Sequence, residues 1–428
     1  MIKRISAFVL ISMLLLSCSA SGEGQKVILG DEQFEAYLPL LEGQRVMVYS
    51  NHSGIVGDRI EGLKVPAGAY TVTEEQSVVP FGTPAVEGGE VKYGPHLVDV
   101  LLEKGVNVVA IFSPEHGFRG LADGGESVMS SVDEQTGLPI YSLFEGGDSL
   151  PTDEAMDALD VVVMDIQDTG HRYYTYYITM HHLMEALAKY GKKLIILDRP
   201  NPTGFYVGGP ILDMQYKSTI GWIPIPTMHG MTLGELALMI NGEGWLEGGE
   251  KCDVTVIPCK NYTHQTKYVL PQRPSPNLKT MKSVYLYGST CTLGWTLVTI
   301  GRGTYQPFEL FGHPDLKGKY DFSFVPQSIP GAKHPDFQGV ECFGRDLRSE
   351  PLEKLFAEGV SYEYIWEVYH KFDVGDAAFK PGFEMSSGDR RVRDMINAGA
   401  SWQQVNAAFD EDVAAFKAQR KPYLIYPE

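Results

Sequence analysis

Short apolar runs alternate with amphipathic stretches from about residue 44 to residue 260, and this alternation restricts the fold more than any other feature of the chain. "RVMVYSN" (45–51), "VNVVAIFS" (106–113), "VVVMDIQD" (161–168), "GKKLIILDRP" (191–200) and "DVTVIP" (253–258) read as strands. Between them, "HLVDVLLEKG" (96–105), the run 174–190 and "MTLGELALMING" (231–242) carry apolar residues at helical spacing. Strands that are apolar on both faces need cover on both faces, so the helices must flank a parallel sheet. The pattern predicts an α/β fold, a Rossmann-like doubly wound parallel sheet. Texture changes near residue 270. After the proline-rich "LPQRPSPN" (270–277) come short runs broken by Gly and Pro, with "VSYEYIWEVYHKF" (360–372) and "ASWQQVNAAFDEDVAAFKAQR" (400–420) as expected helices. The expected division is a Rossmann-like domain over residues 25–270 and a smaller C-terminal α+β domain over 271–428.

The first residues read as a targeting segment. Lys3 and Arg4 precede an apolar run over 5–16, which is shorter than the roughly 20 residues a transmembrane helix requires. "LLSC" (15–18) looks like a bacterial lipobox, which predicts a signal peptide over residues 1–18, lipid on the Cys18 thiol and an exported lipoprotein anchored to a membrane. The alternative is an ordinary secretory signal ending near "CSASG"; both place the folded part outside the cytoplasm. A net charge of −18 argues against a nucleic-acid partner. Four further cysteines, Cys252, Cys259, Cys291 and Cys342, show no CxxC or zinc-ribbon spacing. A Cys252–Cys259 bridge is disfavoured because the strand between them holds its ends apart.

Polar residues gather where the strands end. Ser50, Asn51 and His52 follow the first strand, "SPEHG" (113–117) the next, "DIQDTGHRYYTY" (165–176) another and "DRPNPTG" (198–204) another. In an open parallel sheet all carboxyl ends share one edge, where ligand crevices form. The expected cleft holds the acids Glu115, Asp165, Asp168 and Asp198 with Arg172, Arg199, His116 and His229. Tyr173, Tyr174, Tyr176 and Tyr177 offer rings against which a sugar can lie. Asp165 and Asp198 have structural alternatives, pairing with an arginine or capping the following helix. Glu115 sits between Pro114 and Gly117, so it is either a charged turn residue facing water or a carboxyl fixed on a rigid loop, as acid catalysis requires.

Several chemistries are absent from the pattern. No GxGxxG, GxxxxGK[ST] or HExxH occurs, and "GGDSLP" (146–151) is not a nucleophile elbow. His181 and His182 are adjacent in an expected helix, where side chains diverge by about 100°, which makes them poor joint metal ligands. No metal or cofactor is called for.

"SPEHGFRG", "DIQDTGHRYYTY", "LDRPNPTG", "GGPILD", "HGMTLGELA", "RPSPNL" and "GRGTYQPFELFG" follow one another in that order. Together they resemble the bacterial exo-β-N-acetylmuramidase family (NamZ-type), over essentially the whole chain from about residue 30. The resemblance implies a glycoside hydrolase that releases N-acetylmuramic acid (MurNAc) from the non-reducing end of peptidoglycan fragments, with a Rossmann-like catalytic domain and an auxiliary domain. It implies Glu115 as the catalytic acid, and His116, Asp168, Arg172, Tyr174 and His229 around the same cleft. Asn51, Tyr176, Asp198 and Arg199 complete the expected substrate-binding set. The partner of Glu115 is left between Asp168 and the substrate's own 2-acetamido group. Arg172, with Arg199, is expected to meet the lactyl carboxylate that distinguishes muramic acid from glucosamine. Two positions depart from the family pattern: Gly294 stands where an acid is common, and Met228 where a basic residue is common. A binding protein without catalysis, or a cell-wall esterase or amidase, are the competing functions.

Overall fold

The computed structural model describes residues 25–66, 68, 71–118, 129–144 and 150–428, so Cys18 and the lipobox lie outside the described residues. Seven strands form the central sheet: β1 (Val46–Ser50), β2 (Val108–Ser113), β3 (Ser131–Val132), β4 (Pro139–Ser142), β5 (Val161–Asp165), β6 (Lys193–Leu197) and β7 (Asp253–Ile257). Their spatial order is β7-β6-β5-β1-β2-β4-β3. All pairings are parallel except that of the edge strand β3 with β4. The six parallel strands, numbered along the chain, therefore run 3-2-1-4-5-6, the order of the dinucleotide-binding folds. The doubly wound expectation is met.

The central strands are buried throughout, because both sheet faces are covered: every residue of β1 and of β5 is buried. Burying one Val, Ile or Met side chain contributes roughly 1.5–3 kcal/mol, so this pair alone fixes which strands sit at the centre. Val46, Val48 and Ile111 pack on one face with Leu97 and Leu101 of α1 (Leu97–Glu103). Met47, Tyr49 and Met164 pack on the other with α2 (Tyr176–Tyr190) and α3 (Leu233–Glu243). Helix α3 starts in a capping box, where Thr232 and Glu235 satisfy each other's backbone N–H groups.

The larger apolar core continues without a break into the second half of the chain, through α4 (Met281–Leu293) to Phe416 and Tyr426. Every residue of α4 except Cys291 is buried. Strands β8 (Leu310–His313), β9 (Phe322–Phe324) and β10 (Cys342–Asp346) form an antiparallel sheet with β10 in the middle. The stretch expected as one helix over 400–420 is two, Trp402–Ala407 and Asp410–Arg420, broken at Phe409. The four described cysteines are free, and Cys252 and Cys259 sit at opposite ends of β7. No helix among the described residues is long and apolar enough to cross a membrane.

Candidate active site

Strand β2 runs straight into the Glu115 turn. Gly117 N donates to Pro114 O at 3.0 Å, which closes a four-residue turn with Glu115 and His116 at its centre. His116 has φ 71°, in the left-handed region. A residue with a Cβ costs about 1–2 kcal/mol there, so the surrounding structure must hold the turn in place. Thr175 occupies the N-cap position of α2, yet its hydroxyl makes no cap hydrogen bond. It donates instead to Glu115 Oε2 at 2.6 Å. A side chain that ordinarily secures a helix end is here committed to orienting a carboxylate.

Glu115 and His116 line a cavity of about 240 Å³, whose other walls include Tyr174, Tyr176, Trp295, Arg302 and Phe308. The two tyrosines stand edge to face with ring centres 4.8 Å apart. Tyr174 donates its hydroxyl to Pro274 O at 2.6 Å, which ties the wall to the "RPSPN" segment. Asn51 lies behind the wall at the end of β1. It donates through Nδ2 to the Tyr176 hydroxyl at 2.8 Å, while its Oδ1 accepts from Ser53 N and Oγ. Asn51 therefore positions Tyr176. Burial pushes both tyrosine hydroxyls above the usual phenol range, so they stay protonated donors.

Four expected ligands belong to the interior. Arg172 is fully buried. It donates through Nη1 to Pro210 O at 2.9 Å and through Nη2 to Ser386 O at 2.9 Å. That corrects the expectation of a carboxylate-binding arginine, because the guanidinium is consumed by backbone carbonyls and pins residue 386 to the first half of the chain. Arg199 is also consumed, donating to Asp165 at 2.6 and 3.0 Å and to Asp31 at 2.8 Å. Asp198 accepts from Gly234 N, Thr232 Oγ1 and the Tyr426 hydroxyl at 3.0, 2.7 and 2.6 Å. It is a helix-start acceptor, and burial raises it to about 6. His229 is 1% exposed, accepts from Met231 N through Nδ1, and is driven by burial down to about 3, so it is neutral.

Asp168 is also buried. Its Oδ1 accepts from Gly170 N at 2.6 Å, Oδ2 is buried without a hydrogen bond, and burial pushes the carboxyl up to about 7. It is not among the residues that line the Glu115 cavity; it borders a small void shared with Asp198, Arg199 and Asn201. Met228 is buried in the strand Pro226–Met228. Gly294 caps the end of α4, where an added Cβ would stand 3.0 Å from Ile300 Cδ1. Its neighbour Trp295 supplies an indole to the cavity wall.

The adjacent histidines converge despite their offset around α2. His181 Nδ1 and His182 Nδ1 lie 3.7 and 3.5 Å from the two Glu185 oxygens, and the three ligand atoms fall within 4.8 Å of one another. Both imidazoles pack on Trp222, which already carries the Lys217 ammonium 3.5 Å from its ring centre.

Thr175, Trp295, Arg302 and Phe308 also line the cavity, without a local sequence signal of their own. "GRGTYQPFELFG" contains Arg302 and Phe308, but nothing in its local pattern says that they turn toward a cavity built from residues almost 200 positions away.

A Rossmann-like sheet with a carboxyl on a strained turn at its carboxyl edge, facing a tyrosine-walled cavity of about 240 Å³, suits an α/β protein of the glycosidase class. Family models described as exo-beta-N-acetylmuramidase NamZ match the chain, the N-terminal model over residues 86–282 and the C-terminal model over 285–426. The chain belongs to the NamZ exo-β-N-acetylmuramidase family. It is 36% identical over 346 residues to the peptidoglycan beta-N-acetylmuramidase NamZ of Bacillus subtilis, covering 77% of this chain and 82% of that protein. A crystal structure of a DUF1343 family protein from Bacteroides fragilis matches with TM-score 0.81 and 46% identity, over 94% of this chain and 100% of the other. A second B. fragilis protein of that family matches with TM-score 0.69 and 27% identity, over 94% and 99%.

Proposed function

We propose that this chain is an exo-acting glycosidase that releases MurNAc from the non-reducing end of peptidoglycan fragments, with Glu115 as the general acid. One observation carries the assignment. Glu115 is presented by a left-handed turn, and held by Thr175, at the wall of a cavity that admits one substituted sugar ring. A cavity of that size suits removal of a terminal residue better than cutting within a strand.

This reading implies a substrate-assisted cycle. Glu115 gives its proton to the glycosidic oxygen as the bond from that oxygen to C1 breaks, and the aglycone leaves as an alcohol. The substrate's acetamido oxygen bonds to C1 in the same step, forming an oxazolinium ring, and Glu115 is left as the carboxylate. Water then attacks C1, its proton passes to Glu115, the oxazolinium opens, and MurNAc departs with retained configuration. Asp168 is the less suitable nucleophile, because it does not line the cavity and its Oδ1 accepts from Gly170 N. Tyr174 and Tyr176 supply aromatic faces for the ring, their hydroxyls being engaged by Pro274 O and Asn51.

The test is Glu115→Gln, incubated with digested peptidoglycan and analysed by mass spectrometry. Wild type should release free MurNAc, and the variant should lose about 10³-fold or more in rate while keeping its melting temperature. Retention of a tenth of the activity would reject the acid assignment. Unchanged substrate with wild type would favour a binding protein, and a deacylated product would favour an esterase or amidase. We further propose that the protein is exported and anchored by lipid on Cys18, on the strength of the "LLSC" motif behind a short apolar run.

A further inference from the structure

Muramic acid differs from glucosamine by a lactyl ether bearing a carboxylate. If the reading above holds, on which this inference rests, that charge enters a small cavity whose walls are largely aromatic. A carboxylate withdrawn from water requires a cation or several donors. The two arginines that the sequence offered for this task, Arg172 and Arg199, are buried and committed to other partners.

We propose that Arg302 is the residue that selects the acidic sugar, by pairing with the lactyl carboxylate. Arg302 lines the cavity that holds Glu115, and is neither buried nor fully exposed. Its guanidinium carbon lies 5.2 Å from the Phe308 ring centre, and no acid among the described residues forms an ion pair with it. The chain around it is built to hold it. Gly301 and Gly303 have φ of 78° and 83°, and a Cβ at Gly303 would come within 2.6 Å of Pro335 Cγ and 2.8 Å of Gln327 O. Gln327 N donates to Gly303 O at 2.8 Å, and Phe308 N donates to Ile300 O at 2.8 Å. Phe308 is itself left-handed, at φ 66°, and its ring meets Tyr287 edge to face at 4.8 Å. A strained, hydrogen-bonded loop thus fixes the aromatic platform on which the guanidinium rests. Such strain is retained where a side chain must be aimed. The planar fork then offers two parallel N–H groups to one carboxylate.

The experiment compares 4-nitrophenyl β-MurNAc with its lactyl methyl ester, which removes the charge and keeps the ring. Wild type should prefer the acid by about 100-fold in kcat/KM, carried mainly by KM. Arg302→Gln should bring that preference to within threefold of unity by losing activity on the acid alone, and Arg302→Lys should restore a part of it. An acid-to-ester ratio that Arg302→Gln leaves unchanged would overturn the proposal, as would equal losses on both substrates. Arg302→Lys provides the same comparison if the glutamine variant does not fold. The two readings separate cleanly: a wild type that cleaves neither glycoside rejects the muramidase assignment, whereas a wild type that cleaves both without preference rejects only the role of Arg302.

Discussion

Replacing Arg199 with Met removes a guanidinium shared by two buried carboxylates, and the consequence can be worked from the geometry. Asp31 and Asp165 are both fully buried, and Arg199 reaches Asp165 through two hydrogen bonds and Asp31 through one. Removing one partner of a buried ion pair costs about 3–5 kcal/mol, because the remaining charge has neither water nor a counter-ion. Here two buried carboxyl groups lose their shared partner, so a cost within that range is expected, against a total stability of about 5–15 kcal/mol for typical proteins. The loss has a definite pH dependence. Burial already raises Asp31 well above the usual carboxyl range, while the Arg199 charge pulls it down. Without that charge it rises further, so the folded variant keeps a proton that the unfolded chain releases above about pH 4. Where the folded state binds more protons, stability falls as pH rises, so the deficit of the variant must grow with pH. Urea unfolding followed by tryptophan fluorescence should give a deficit of about 4 kcal/mol at pH 8 that shrinks as pH is lowered. Turnover per folded molecule should stay within about twofold of wild type, since Arg199 is not in the cavity. A deficit below about 1 kcal/mol at pH 8, or a pH-independent one, would refute the buried-network argument. Lost turnover at unchanged stability would return Arg199 to the substrate.

Asp168→Asn separates a structural carboxyl from a nucleophile: the variant should keep more than about a tenth of wild-type kcat, whereas loss of a nucleophile costs several orders of magnitude. The wild-type carboxyl, raised by burial to about 7, binds a proton in the folded state between roughly pH 4 and 7 and so adds stability as pH falls through that window. The stability gained between pH 8 and pH 5 should therefore be smaller in the variant by about 2–3 kcal/mol in urea titrations, and an unchanged pH dependence would contradict the burial argument. Cys18→Ala should move the expressed protein from the detergent phase to the aqueous phase on Triton X-114 partition and abolish incorporation of labelled palmitate; equal partition of both forms would reject the lipid anchor.

The parallel sheet was legible because its signal is local. Five buried residues in a row, as in Val46–Ser50 and Val161–Asp165, leave a continuous apolar run, and each helix announces itself by its period. Strand Pro139–Ser142 and helix Met281–Leu293 escaped for opposite reasons. The strand is short and alternates in burial. The helix is buried on all sides, so it has no polar face to reveal a period. Glu115 was legible for a related reason. Its position is set by the end of one strand and a turn of four residues, all within ten positions of sequence. An arginine's role is not local at all. The partners of Arg172 lie 38 and 214 positions away, and those of Arg199 lie 34 and 168 away. All three arginines occur beside polar, turn-forming residues, so composition cannot rank them. What separates them is whether distant backbone carbonyls and carboxylates reach the guanidinium first. Arg172 and Arg199 are claimed in this way, whereas Arg302 rests on an aromatic ring and forms no ion pair among the described residues. The proposed role of Arg302 therefore rests on what distant groups leave uncommitted, which no local pattern in the sequence displays.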